Sequence, residues 1–390
     1  MRMTLNNMKM GLVASTLALS AVSCKDRGVV DTAKAEAKPY VSSVNTFDTD
    51  RIASYYAASG TRPELAGKVV YWDSIVSLYK ENEAYLAGKD YMLKKHKELG
   101  KKTIYAGGTW GWVGHFPENN YTMETTRFSL EACRNNGVHE AMLTLWFNDN
   151  AECDIFSNLL ALSYFAELCY DKNISEEKIR LRFEASTGGN YDAFMAMSLY
   201  HNDFENCKEY DNFHNRFLGK PLFWQDIMEG LYDSYLFDKP ISSHYAVCCE
   251  LMKQFDGKWS EIYRYAQAVF DYLAVKTFVA EKLVPSYRKE DKETLGHIAH
   301  SFLPLLKEKV NAVHEIHKLL WMDRNKIVGW SNLDIRYAGV LARCDTAIML
   351  IERYLNGEDD IIEELEVDRL VKPLRGFVHY SAIATPNLKI

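Results

Sequence analysis

The chain has 390 residues, nearly half of them apolar and a quarter charged, which is ample for two or three globular domains with a sizeable core. A formal charge of −7 argues against a nucleic-acid surface. Aromatic residues reach 13%, an unusual share; aromatic-rich clefts can stack flat ligand faces, but filling cores is the default reading for most of these rings.

Arg2 and Lys9 precede the uncharged run GLVASTLALSAVSC, which ends at Cys24. A positive start and an apolar stretch too short to span a bilayer predict a leader over residues 1–24. Ala21 and Ser23 resemble the residues before a bacterial lipoprotein cleavage site, although leucine is more usual where Ala21 stands. Cys24 is therefore the candidate lipidation site, and the expected location is the bacterial cell envelope, with the membrane reached through the lipid. The alternative is a misplaced start among Met1, Met3, Met8 and Met10, and a cytoplasmic protein. Residues 25–66, which include DTAKAEAKP, read as tether and linker. The other seven cysteines form no C-x-x-C pair and are odd in number, so buried free thiols fit better than a disulfide framework. That reading sits awkwardly with export.

From residue 67 the rhythm changes. KVVYWD (68–73) is a short β-branched run, and the segment from Glu81 to Gly100 is a helix closed by glycine. KTIYAGG (102–108) is the next strand. The helix after it takes Thr122 as N-cap and Gly137 as terminator. EAMLTLW (140–146) is a third strand, and Asp154 caps a strongly apolar helix over 155–170. Strand and helix alternating three times with short loops predicts parallel βα units. Trp72 and Asp73, then Trp110 and Trp112, then Trp146, Asn148, Asp149 and Glu152 all follow strand C-terminal ends, the rim where (β/α) barrels build their sites. Gly107 and Gly108 are expected to turn the backbone there, so that the tryptophans line a pocket. Packing beneath a loop is the plainer reading of the same rings.

The second half is helical. A helix follows Pro240 with Ser242 or Ser243 as cap, and amphipathic helices span about 258–285, 290–321 and 337–356, the last ended by Gly357. GWSNLDIRYAG joins the final two, with Trp330, Asp334 and Arg336 as a buried polar anchor or, on the functional alternative, a reach toward a sugar site. His314 and His317 share a helical face without further ligands at metal spacing, and no metal or cofactor is expected. STGGNY (186–191) lacks the form of a phosphate loop and reads as a turn. GEDDIIEELEVD reads as an acidic surface helix start.

VVYWDSI, YAGGTWGWVGHFPENN and the run from Ala132 to Asp171 resemble the last three βα units of glycoside hydrolase family 20, in the bacterial β-N-acetylhexosaminidases with a helical C-terminal domain. PLFWQDIMEGLYD (221–233) and the stretch 317–347 resemble segments of that helical domain. The resemblance implies a partial (β/α)8 TIM barrel over 67–171 followed by an all-α domain over 172–390. It also implies substrates that are glycans ending in N-acetylhexosamine, cleaved with help from the substrate's own acetamido group. By this resemblance Trp72, Trp110 and Trp146 become pocket walls, with Trp112 beside them on the rim, and Asp73 and the acidic loop after Trp146, Asp149 included, face sugar hydroxyls, the contact at Asn148 being weakened or lost. The family's pattern after the last strand resembles W-G-D-D-G-A-E, whereas this chain has Phe147 for the glycine and Asn148 for a carboxylate. The family's catalytic Asp-Glu pair lies on the fourth barrel strand, and no Asp-Glu dipeptide occurs in this sequence. The expectation is a truncated hydrolase or one half of a split enzyme, completed by a partner chain or acting as a homodimer. A non-catalytic sugar-binding or interacting lipoprotein is the alternative.

Overall fold

The computed structural model describes residues 3–5, 8–12, 83–98, 100, 102–146, 151–201, 217–237, 241–368 and 380–384. Two short strands, β1 (Met3–Leu5) and β2 (Met8–Leu12), pair antiparallel. Helix α1 (Glu83–Glu98), strand β3 (Tyr105–Gly108), helix α2 (Asn119–Asn135), strand β4 (Glu140–Thr144) and helix α3 (Leu159–Tyr170) follow. The sheet order is β1-β2-β4-β3, with β4 parallel to both neighbours. Tyr105 lies opposite Ala141 and Gly108 opposite Thr144 on one side, and Lys9 opposite Glu140 on the other. The predicted strand at 68–73 and its Trp72 and Asp73 lie outside the described residues, as do Cys24, Asn148 and Asp149.

Side chains from three elements make this core. Leu130 and Cys133 of α2, Ala141 and Leu143 of β4, and Phe165, Leu168 and Cys169 of α3 are all buried together. Threonines fasten the strand ends. The Thr144 hydroxyl donates to the Gly107 carbonyl at 2.8 Å, and the Thr109 amide donates to the Thr144 carbonyl at 3.0 Å, one step beyond the regular ladder. Helix α2 begins earlier than its sequence suggests. Glu118 is the N-cap and accepts from the Tyr121 amide, while the hydroxyl of Thr122, the expected cap, donates to Thr109 O at 2.7 Å and to Glu118 O at 2.8 Å. Asp154 does cap the next segment, accepting from Phe156 N at 2.9 Å. That cap opens a 3-10 turn (Ile155–Asn158) ahead of α3.

Helices α4 (Glu176–Thr187) and α5 (Tyr191–Ala196) complete the first of two compact units, which runs to Ser198 and includes 208–213. STGGNY is a turn, as its glycines imply: Gly188 takes φ 70° after α4, and Asn190 caps α5 through Ala193 N at 2.9 Å. Asn119 at the start of α2 is tied to this end: its backbone amide donates to Ser198 Oγ at 2.9 Å and its side-chain Nδ2 donates to Phe194 O at 2.9 Å.

The second unit, residues 199–207 and 214–390, is helical wherever it is described as regular structure. Short helices α6 (Gly219–Trp224) and α7 (Asp233–Leu236) lead to α8 (Ile241–Met252) and the long α9 (Ser260–Arg288). Helix α10 (Lys292–His297) passes through a π turn (Ile298–Phe302) into α11 (Leu303–Arg324), where the sequence reads as one helix. Helix α12 (Trp330–Leu355) already contains GWSNLDIRYAG in its first turns, so that segment is helix and not a joint. Short helices α13 (Glu363–Glu366) and α14 (Tyr380–Ala384) are the last elements among the described residues. Ser242 lies within α8, and Glu281 of α9 supplies the carboxylate that its amide and hydroxyl donate to.

Several polar groups inside this unit are paired. The indole of Trp330 donates to Asp334 at 2.6 Å, and His314 meets the same oxygen at 2.7 Å. His317 bonds the Tyr337 hydroxyl at 2.9 Å. Arg336 lies over the Tyr380 ring, 4.2 Å from its centroid, while Trp330 and Asp334 of the expected anchor are joined by His314. Among the described residues, no three His, Cys, Asp or Glu side chains converge as a metal cluster, and no helix is long and apolar enough to cross a membrane.

Candidate functional site

Three tryptophans converge where β3 and β4 end. Trp110 caps the 3-10 turn Gly111–Val113 and Trp112 lies within it, with their ring centroids 4.7 Å apart. Trp112 stands 6.2 Å from Trp146, which follows β4 by two residues. Tyr121 from the first turn of α2 sets its ring edge against Trp110 at 4.5 Å. All three tryptophans are half-buried, although the residues right after them, His115 and Phe116, are fully buried. The loop therefore dips into the core between two stretches that hold indole faces at the surface.

The glycines work differently from the expectation. Gly107 and Gly108 lie in extended strand, and the left-handed turns fall on Trp110 (φ 54°), Trp146 (φ 52°) and Ala151 (φ 49°). Gly108 serves packing. A Cβ there would stand 2.6 Å from two Trp112 ring atoms and 3.3 Å from Trp146. Bare backbone at Gly108 thus lets both rings lie down on the strand end. Three non-glycine residues in the left-handed region cost on the order of 1–3 kcal/mol each, and such strain persists only where surrounding structure enforces it.

Glu152 and Asp154 are buried in the loop after Trp146. Burial, with Asp154 beside it, pushes the Cys153 thiol well above its ordinary pKa, so Cys153 is no nucleophile. Burial likewise raises the thiols of Cys169, Cys248 and Cys344 to about 12. Cys133, Cys153, Cys169, Cys248, Cys249 and Cys344 are all free and buried.

Of the predicted site residues, Trp110, Trp112 and Trp146 come together. Trp72, Asp73, Asn148 and Asp149 are outside the described residues. Tyr121, Glu118 and Asn158 were not singled out in the sequence. Tyr121 and Asn158 read as ordinary helix residues there, and only the Pro-Glu before Asn119 hints that the helix begins early enough to bring Tyr121 under Trp110.

Residues 192–376 match the family described as the Glycoside Hydrolase 20C C-terminal domain. No curated protein matches the chain.

Proposed function

The chain carries the C-terminal domain of glycoside hydrolase family 20 over residues 192–376, and on that premise we propose that the tryptophans ahead of it form the wall of a site for a terminal N-acetylhexosamine. The carrying observation is the indole cluster seated on Gly108 at the ends of two parallel strands. Parallel strands with helices between them support a partial TIM barrel, whose strand C-terminal ends carry its sites. A rigid aromatic wall discriminates by fit: it gains from an acetamido methyl what it cannot gain from a hydroxyl. Trp72, Asp73, Asn148 and Asp149 belong to the same rim in this reading.

Cleavage in this family uses an Asp to hold the substrate's acetamido group as it attacks the anomeric carbon, and a Glu to protonate the leaving oxygen. No position matched here supplies that pair. The chain in this reading binds the sugar, and hydrolysis waits on strands contributed by further polypeptide. The second reading, a sugar-binding lipoprotein without catalysis, is favoured by Asn148 and Phe147, which replace a carboxylate and a glycine of the family pattern.

Tryptophan fluorescence titration tests the site. N-acetylglucosamine should quench or shift the emission of the full-length protein at concentrations where glucose does not. An equal response to both sugars, or none to either, removes the N-acetyl site from consideration.

A further inference from the structure

Asn158 is fully buried one residue before α3, a position where asparagine normally caps a helix with its side chain. Here it makes no cap bond. Its amide turns away into the loop, where Nδ2 donates to Asp154 O at 3.3 Å, Ile155 O at 3.4 Å and Cys153 Sγ at 3.5 Å. Its Oδ1 has no hydrogen-bond partner among the described residues. That oxygen lies 2.5 Å from where a Cβ on Gly111 would stand. One side chain thus braces the Cys153–Ile155 loop with its nitrogen and presses against the Trp110–Trp112 turn with its oxygen.

Both loops hold left-handed residues, Trp110 on one and Trp146 and Ala151 on the other. Conformations of that kind need contacts that over-determine them. A helix cap sacrificed to a loop contact, and a glycine whose missing Cβ leaves room for that contact, are independent signs of the same constraint. We propose that Asn158 is a positioning residue that sets the spacing of Trp110 and Trp112 against Trp146, with Gly111 as the surface it bears on. The proposal rests on the sugar-binding reading above for its functional consequence. It adds a buried residue that touches no sugar.

A double-mutant cycle on the full-length protein tests it. Gly111→Ala forces Asn158 back and should weaken N-acetylglucosamine binding about tenfold or more. Asn158→Ala releases the brace and should weaken it comparably. The double variant should be no worse than the poorer single, because the shortened side chain admits the new methyl. The tryptophan emission maximum should follow the same non-additive order, whereas a purely structural role would lower the melting temperature without moving the emission of the folded protein. If Asn158→Ala does not fold, Gly111→Ala and Gly111→Ala with Asn158→Ser carry the comparison. Additive losses, or single variants that bind and emit like the parent, overturn the brace. A parent that binds no sugar while the emission shifts remain non-additive overturns the sugar reading and keeps the brace.

Discussion

Asp226 grips Arg343 from 117 residues away in the chain: Nε donates to Oδ2 at 2.6 Å and a terminal nitrogen to Oδ1 at 3.1 Å. The carboxylate also accepts from the Met228 and Glu229 amides at 2.9 Å each, and Arg343 reaches on to Glu364 at 2.7 Å. Burial raises the Asp226 pKa, but Arg343 outweighs it and the group sits below the usual carboxylate range. The loop after α6, the middle of α12 and the start of α13 are thereby joined through one ion cluster.

Asp226→Asn should therefore destabilise the helical unit by about 3 kcal/mol, since it leaves a half-buried guanidinium short of its main partner. A folded-state pKa below the unfolded one means that the stabilisation is present above about pH 4 and is lost as pH falls through the native value. Urea melts at pH 7 and pH 3 measure both effects. Variant and parent that melt alike at pH 7 would show that the pair contributes nothing net.

Lys276 obeys the opposite sign. It is buried in α9, where its ammonium donates to Phe223 O at 2.6 Å beside the Tyr272 hydroxyl, which donates to the same carbonyl at 2.7 Å. Burial pulls its pKa down to about 7, against the smaller raising effects of Cys344, Asp226 and Asp233. The unfolded chain then binds the extra proton between pH 7 and about 10.4, so this group makes stability rise with pH through that interval. Buried thiols such as Cys344 work the other way above about pH 8.5, because the unfolded thiol ionises first. The clean window is pH 7 to 8.5, where the parent's melting temperature should climb and that of Lys276→Met should stay flat. Phe223 O keeps Tyr272 as a donor in that variant, so it should fold and be the more stable protein at pH 6. Parallel curves for the two proteins would place a neutral partner, not a charge, at this site.

Much of this architecture is legible in the sequence, for identifiable reasons. Asp154, Gly137, Gly188 and Asn190 act locally through caps and left-handed φ, and they stand where their chemistry predicts. Thr122 and Ser242 were misassigned because the real caps are Glu118, an uncommon cap type, and Glu281, which arrives from another helix. No local pattern announces a carboxylate 39 residues distant. The same holds at the site. Tryptophans after strands can be read directly, but that Gly108 is a floor for rings and that Asn158 abandons its cap are facts of tertiary packing.

Cys24 bears on how the sheet is finished. We expect labelled palmitate to enter the chain in a bacterial host and Cys24→Ser to abolish the label. Cleavage before Cys24 would also remove β1 and β2, and with them the strand paired with Glu140–Thr144 of β4. A bare parallel edge invites pairing with another strand. The processed form should then self-associate more than Cys24→Ser, as read by light scattering in detergent. An unlabelled chain that keeps its full length would end the lipoprotein reading.

Hydrolysis is the last and sharpest prediction. General acid catalysis alone contributes on the order of 10²–10⁴ in rate, and the attacking acetamido group needs a carboxylate to hold it. Among the acids at this rim, Asp154 spends one carboxylate oxygen on the Phe156 amide, and Glu152 is buried in the loop behind the tryptophans. Asp73 and Asp149 are the remaining candidates by sequence, and in the family such rim carboxylates grip hydroxyls. On the proposed reading the tryptophans hold the methyl of an N-acetyl group, but binding without a proton donor lowers no barrier. The purified chain should therefore show no turnover of a chromogenic N-acetylglucosaminide above the uncatalysed rate. Adding a polypeptide that carries further barrel strands with an Asp-Glu pair should supply it, and Gly108→Ala, which drives Trp112 off the strand end, should then lower kcat/KM by at least about tenfold with little change in melting temperature. Turnover by the chain alone that disappears in Asp73→Asn or Asp149→Asn would mean that these carboxylates have taken over the acid's role.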